Sequence, residues 1–129
     1  MKAPDLQPVR DMINKLSEEK INKADLSHLN IKEYLVPNIY DNYQIPVTTY
    51  VPKSVSKNTP IVKFCHGGGW SLFSRKVYHL QIAHLATESN FIWLSIEYRL
   101  SPEFKHPTHI NDCCSVLKQV YLVVILISK

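Results

Sequence analysis

Apolar residues near the start of the chain recur at the spacing of one helix face. The pattern of apolar residues three and four positions apart indicates an amphipathic helix, which we expect over residues 6–21. The residues that carry it are Val9, Met12, Ile13 and Leu16. We therefore assign residues 1–30 to an N-terminal helical or cap segment.

Strand patterns come next. Residues 32–40 and 44–51 are each typical of a strand, and in the second one apolar and polar residues alternate. This second stretch contains Pro46, which cannot donate a ladder hydrogen bond, so we expect the strand to lie at a sheet edge. Residues 61–65 are a short apolar run typical of a buried strand.

The second half of the chain alternates between helix and strand patterns. Residues 77–89 favour a helix, residues 91–96 a strand, and a further helix begins near Thr108. This alternation is typical of an α/β sheet with crossover connections, and we assign residues 31–129 to one partial domain of that class. The apolar tail at residues 120–129 either extends the last helix or forms another strand, because β-branched residues favour strands.

Composition narrows the function classes. The 129 residues are 45% hydrophobic and 20% charged, which is ordinary for a globular protein. The net charge of +4 comes from scattered lysines without a basic stripe, so we expect no nucleic-acid partner.

No apolar run approaches the ~20 residues of a membrane span, and we expect no transmembrane segment. Three cysteines, two of them adjacent, make a poor disulfide framework, so we expect a cytoplasmic protein. Oligomeric state stays open.

All the glycines of the chain lie in one place. The three glycines are Gly67, Gly68 and Gly69, directly after the strand pattern at 61–65. Glycine permits positive φ angles and lets a ligand approach the main chain closely. Consecutive N–H groups can then converge on a carbonyl oxygen that becomes an oxyanion, and each such donor is typically worth about 3 kcal/mol. A flexible linker is the simpler alternative, whereas the spacing required of a phosphate-binding loop is absent.

The residues around the glycines resemble a known motif. His66-Gly67-Gly68-Gly69-Trp70 is similar to the oxyanion loop of the hormone-sensitive-lipase-like branch of the α/β-hydrolases, which includes arylacetamide deacetylases. Residues 97–103, Glu-Tyr-Arg-Leu-Ser-Pro-Glu, are similar to that branch's Tyr-Arg-Leu-Ala-Pro-Glu signature after the next strand. The resemblance extends to about Gln119. It implies the N-terminal portion of an α/β-hydrolase sheet with flanking helices, an incomplete fold.

The resemblance also assigns roles in the loop. It implies that Gly68 and Gly69 supply the oxyanion N–H donors, that Gly67 permits the turn, and that His66 braces the loop. Trp70 either walls the pocket or serves packing alone. A glycine is common in the family where this chain has Phe73.

A second group implied by the resemblance is structural. Tyr98, Arg99 and Asp112 would tie the loop after the strand to the neighbouring helix. An acid–base role for Glu97 and Asp112 is the alternative that the residue types allow.

The family's nucleophile has no counterpart in this sequence. It sits in a Gly-x-Ser-x-Gly elbow, and with every glycine at 67–69 no such elbow exists here. The resemblance thus implies part of a serine carboxylic-ester hydrolase that contributes the oxyanion loop for a small apolar ester. Because an oxyanion hole without nucleophile leaves only residual catalysis, we expect the chain alone to be inactive. The alternative is a non-catalytic module that binds a small ligand or a partner.

The histidines and cysteines do not form a metal signature. His79, His84, His106 and His109, with Cys113-Cys114, match no zinc spacing, and we expect no metal and no cofactor. These histidines are more typical of surface positions or of hydrogen-bonded core positions.

Overall fold

A computed structural model describes residues 1–128. In this part of the chain the elements, in order, are α1 (Gln7–Ile21), β1 (Leu29–Pro37), β2 (Gln44–Pro52), β3 (Ile61–Cys65), α2 (Arg75–Ser89), β4 (Ile92–Ile96), α3 (Thr108–Lys118) and α4 (Val120–Ser128).

The four described strands form one mixed sheet in the order β1-β2-β4-β3. β1 pairs with β2 and β2 with β4 in antiparallel fashion, whereas β3 and β4 are parallel. The parallel pair is joined through α2, because parallel neighbours need a crossover. The α/β class expected from the sequence is confirmed, with an antiparallel hairpin added on one side.

The edge position expected for the strand with Pro46 is wrong, because β2 lies between β1 and β4. The ladder to β4 begins at Val47, one residue after the proline. Pro46 joins β4 through its carbonyl oxygen, which accepts a hydrogen bond from the N–H of Glu97 at 2.9 Å. Proline lacks only the donor, so an internal strand tolerates it where the acceptor alone is used.

Two apolar clusters cover the two faces of the sheet. On one face, residues of β1, β2 and β4 pack against α3 and α4. The buried members of that cluster are Val36, Ile45, Val47, Leu94, Ile96, Val116 and Val123. On the other face, Leu29 and Tyr50 pack against Ile82, Ala83 and Ala86 of α2. Successive side chains of a strand point to opposite faces, so β1 and β2 each supply buried residues to both clusters.

The tail is helical. Of the two conformations that the sequence left open, α4 takes the helix, and its Val123 is buried in the cluster on the α3 side. Packing of this kind overrides the strand preference of β-branched residues. Lys129, the last residue of the tail at 120–129, lies outside the described residues. No helix in residues 1–128 is long and apolar enough to cross a membrane.

Candidate oxyanion-loop site

The backbone of the glycine loop demands glycine at its centre. β3 ends at Cys65 and the chain turns sharply at Gly68, with φ of 126°, and at Gly69, with φ of 59°. A Cβ atom on Gly68 would lie 2.2 Å from the carbonyl oxygen of Leu72, whereas one on Gly69 would meet nothing within 4 Å. The turn is closed by the N–H groups of Ser71 and Leu72, which donate to the Gly68 carbonyl oxygen at 3.2 and 3.0 Å. Gly68 is therefore sterically required.

Within residues 1–128, the N–H groups of the glycine loop are left without acceptors. No described residue accepts a hydrogen bond from the N–H of Gly67, Gly68 or Gly69. The three glycines line a cavity of about 280 Å³, here called the loop cavity. Its other lining residues are His66, Trp70 and Tyr98. Unpaired main-chain donors at a concave surface can bind an anionic oxygen.

His66 is held from several sides. Its side chain is 3% exposed, and Nδ1 lies 2.8 Å from the Gly67 carbonyl oxygen, so that hydrogen bond places a proton on Nδ1. Nε2 lies 3.6 Å from Oε1 of Glu97. The ring of Tyr98 stacks on His66 at 4.4 Å between centroids, and its hydroxyl donates to the His66 carbonyl oxygen. Burial raises the pKa of Tyr98 well above its usual value, so the hydroxyl keeps its proton.

Glu97 connects the loop to the start of α2. Its carboxylate accepts from the backbone N–H of Arg75 at 3.1 Å and from Nε of Arg75 at 3.0 Å. Arg75 also donates from Nη1 to Oγ1 of Thr48 at 2.7 Å. Burial raises the pKa of Glu97, but the nearby imidazole of His66 and the guanidinium of Arg75 outweigh it, and the net pKa is below the usual value. The carboxylate of Glu97 thus accepts from a backbone N–H at the N-terminus of α2 that has no partner within the helix. The helix begins at Arg75, two residues before the expected start.

A second carboxylate organises the segment after β4. Asp112, fully buried on α3, accepts from the N, Nε and Nη2 of Arg99 at 2.9, 3.0 and 2.7 Å. It also accepts from Nδ2 of Asn38 at 2.6 Å, and Arg99 reaches Oδ2 of Asp41 at 2.7 Å. The bond to Asp112 raises the pKa of Arg99 above its usual value. With its hydrogen bonds filled, Asp112 is bound to its neighbours and is not aimed at the loop cavity.

Arg10 is a site residue that the sequence did not reveal. It is 8% exposed, and its guanidinium donates to the carbonyl oxygen of Ser71 at 2.9 Å and to that of Ser101 at 2.7 Å. Its third partner is Oε2 of Glu103, also at 2.7 Å. Thus α1 is fastened to the glycine loop and to the segment after β4. An amphipathic pattern does not distinguish such an arginine from a solvated one.

The rings of Trp70 and His109 stack on each other directly after the glycine loop. Trp70 is 57% exposed, and its ring stacks on that of His109 at 5.1 Å. The expectation of a surface or hydrogen-bonded core histidine is wrong for His109, which is 3% exposed and whose ring nitrogens have no partner among residues 1–128. Aromatic stacking, rather than hydrogen bonding, holds this ring. In the same part of the chain, no group of three or more His, Cys, Asp or Glu side chains is placed to hold a metal.

The glycine loop follows the carboxyl end of a parallel strand, where open α/β sheets commonly bind their ligands. Residues 62–123 match the family described as alpha/beta hydrolase fold. The carboxylesterase NlhH of Mycobacterium tuberculosis is 31% identical over 134 residues, covering 91% of this chain and 42% of that protein. An arylesterase of Saccharolobus solfataricus is 26% identical over 111 residues, covering 86% of this chain and 35% of that protein. The chain belongs to the α/β-hydrolase family and matches the N-terminal part of its esterase members.

Solved structures agree on the fold. Bacterial heroin esterase superposes with a TM-score of 0.83 at 22% identity, over 95% of this chain and 39% of that one. EstE1, a thermostable carboxylesterase cloned from a metagenomic library, gives a TM-score of 0.79 at 26% identity, over 91% of this chain and 39% of that one. The chain therefore spans less than half the length of the relatives that it matches. The family resemblance inferred from the sequence is confirmed.

Proposed function

We propose that this chain supplies the oxyanion-loop part of a serine carboxylic-ester hydrolase. The observation that carries the proposal is that Gly67, Gly68 and Gly69 line a cavity while their N–H groups have no acceptor among residues 1–128. The backbone at the centre of this loop requires glycine. The esterases among the relatives support the same class of reaction.

In this proposal the loop acts on the developing charge. When a nucleophile adds to the ester carbonyl, its oxygen becomes an oxyanion, and the N–H groups of Gly68 and Gly69 donate to it. Such a donor is worth about 3 kcal/mol in the transition state because it is already in place. His66 fixes the Gly67 carbonyl oxygen through Nδ1 and so keeps the neighbouring peptide groups oriented. Trp70 offers an apolar wall to a small apolar ester.

The attacking group lies outside these 129 residues. A serine in a Gly-x-Ser-x-Gly elbow needs glycines that this sequence does not have. We therefore propose that the chain binds an oxyanion-like group but does not hydrolyse esters by itself. In an assay with p-nitrophenyl butyrate, we expect the chain to give no more turnover than the Gly68→Ala variant.

The binding step has a direct test, because all the glycine amides of the chain lie in the loop. Selective ¹⁵N-glycine labelling yields one amide signal from each of Gly67, Gly68 and Gly69. Titration with butyrate, whose carboxylate mimics the oxyanion, should shift the signals of Gly68 and Gly69 saturably. Butyramide, of similar shape without the charge, should shift them much less. Equal shifts with both compounds, or none with butyrate, would contradict the proposal.

The missing nucleophile calls for a second measurement. Sequencing the natural transcript through the codons for residues 116–129 should find the reading frame continuing into a Gly-x-Ser-x-Gly strand. A stop codon directly after Lys129 would contradict the catalytic part of the proposal and leave a binding role alone.

A further inference from the structure

Two cysteines line one cavity beside the glycine loop. Cys65 is the last residue of β3, directly before His66, and it is exposed. Cys113 lies on α3. Both line a cavity of about 240 Å³, here called the thiol cavity. Its other lining residues are His66, Trp70, Tyr98, His109, Ile110 and Cys114.

The two thiols are not equivalent. The neighbouring Cys113 thiol lowers the pKa of the Cys65 thiol, His66 adds to this, and burial opposes it. The neighbouring Cys65 and burial both raise the pKa of Cys113. Of the pair, Cys65 is therefore the one that ionises first, and it is also the more exposed residue. Since the thiolate is the reactive form of cysteine, Cys65 is the more nucleophilic sulfur.

The walls of the thiol cavity select the kind of molecule that fits. Trp70 and Ile110 give it an apolar surface, and none of its lining residues is a lysine or an arginine that would attract a carboxylate. His109 adds an independent sign, because its buried ring nitrogens have no partner within residues 1–128. Buried polar groups are rarely left unpaired, and such a group often marks a place for water or a ligand. An uncharged, apolar molecule with a carbonyl acceptor matches these walls.

We propose that Cys65 is a site of covalent modification by apolar α,β-unsaturated carbonyl compounds that bind in the thiol cavity. The Cys65 thiolate adds to the β-carbon of the electrophile and forms a carbon–sulfur bond. The π electrons of the C=C bond move to the carbonyl group as an enolate, which takes a proton from water at the α-carbon. The step needs no oxidant and no further reactant. It is independent of the ester chemistry proposed above.

The test compares three cysteines within one protein. The freshly reduced 129-residue chain is treated with limiting N-phenylmaleimide, quenched and digested, and the adducts are assigned by peptide mass spectrometry. We expect Cys65 to react about tenfold faster than Cys113 and Cys114, because its thiolate is stabilised. In denaturant, the three rates should become similar. Similar rates in the native chain, or faster reaction at Cys114, would overturn the proposal.

The dependence of the rate on pH tests the cause. The titratable groups that border Cys65 from β3, from the segment after β4 and from α3 are His66, Tyr98, His109, Cys113 and Cys114. Cys113→Ala should raise the pH midpoint of Cys65 alkylation, whereas the matched Cys114→Ala variant should leave it in place. An unchanged midpoint in Cys113→Ala would show that Cys113 does not activate Cys65. If Cys113→Ala fails to fold, the native-to-denatured rate ratios of the unaltered chain still decide the proposal.

Discussion

Arg10 donates a hydrogen bond from Nε to the carbonyl oxygen of Ser71 at 2.9 Å, across 61 positions of the chain. Ser71 in turn donates its N–H to Gly68, at the centre of the glycine loop. The N-terminal helix is therefore two hydrogen bonds away from the proposed oxyanion donors. It acts as a brace for the loop as well as a cover for the sheet.

Replacing the brace should weaken the fold. Arg10→Ala removes three charge-assisted hydrogen bonds from a nearly buried guanidinium, and we expect the free energy of unfolding to fall by about 2–3 kcal/mol. Urea denaturation followed by circular dichroism measures this loss. Lys15→Ala, an exposed change on the same helix, is the control. Equal effects of the two substitutions would show that the hydrogen bonds of Arg10 do not contribute to the free energy of unfolding.

The two central glycines should respond differently to the same substitution. Gly68→Ala places a Cβ atom against the carbonyl oxygen of Leu72, at a φ angle that is open almost only to glycine, so the loop must move. Gly69→Ala has free space and a left-handed φ, and we expect a cost of about 1–2 kcal/mol. Urea denaturation and the glycine amide spectrum should both show the larger change in Gly68→Ala. Comparable changes would mean that the turn tolerates a side chain at both positions.

The buried carboxylate on α3 should matter more than its exposed neighbour. Asp112→Asn leaves Arg99 partly unpaired in a buried setting, and we expect a loss of about 3–5 kcal/mol in unfolding free energy. Asp41→Asn removes an exposed partner of the same guanidinium and should have only a small effect. Thermal denaturation of both variants gives the comparison. A larger shift for Asp41→Asn would place the important charge pair at the surface.

Acid should release the contact between Glu97 and its neighbours. The pKa of Glu97 lies below its usual value near 4.5 in the folded chain, because His66 and Arg75 outweigh the effect of burial. The stability it contributes is therefore present above about pH 4.5 and is lost as the pH falls through the lowered value. Urea midpoints measured from neutral pH to about pH 3 should fall more steeply for the natural chain than for Glu97→Gln. Parallel curves would remove Glu97 from the acid response.

Much of this architecture could be read from periodicity and from one unusual loop. The helix at Gln7–Ile21 and the strand at Ile61–Cys65 follow directly from apolar spacing, and three consecutive glycines mark the loop. The position of β2 in the sheet could not be read in this way. The order of strands in a sheet is set by tertiary packing. Pro46 indicates only that one backbone N–H is missing from the hydrogen-bond ladder.

The site itself was harder to predict wherever a polar residue is buried. Arg10 lies in the interior although arginine is mostly found at the surface, and His109 is buried without a hydrogen-bond partner among residues 1–128. Only the tertiary structure brings Ser71 against Arg10 and Trp70 against His109. Phe73 adopts a φ of 70°, in the region that favours glycine, which gives a physical reason for the family's glycine at that position. The roles assigned to Tyr98, Arg99 and Asp112 remain predictions, which the variants above address.

The strand that leads into the glycine loop is paired on one side only. β3 lies at the end of the described sheet order, so one row of its main-chain groups has no neighbouring strand. Amide hydrogen exchange at such an edge reports local opening at a lower free energy than the central strands require. Oxyanion donors act through being fixed before the reaction begins. If the loop serves the proposed function, the strength of its oxyanion donors therefore depends on how firmly the outer edge of β3 is held.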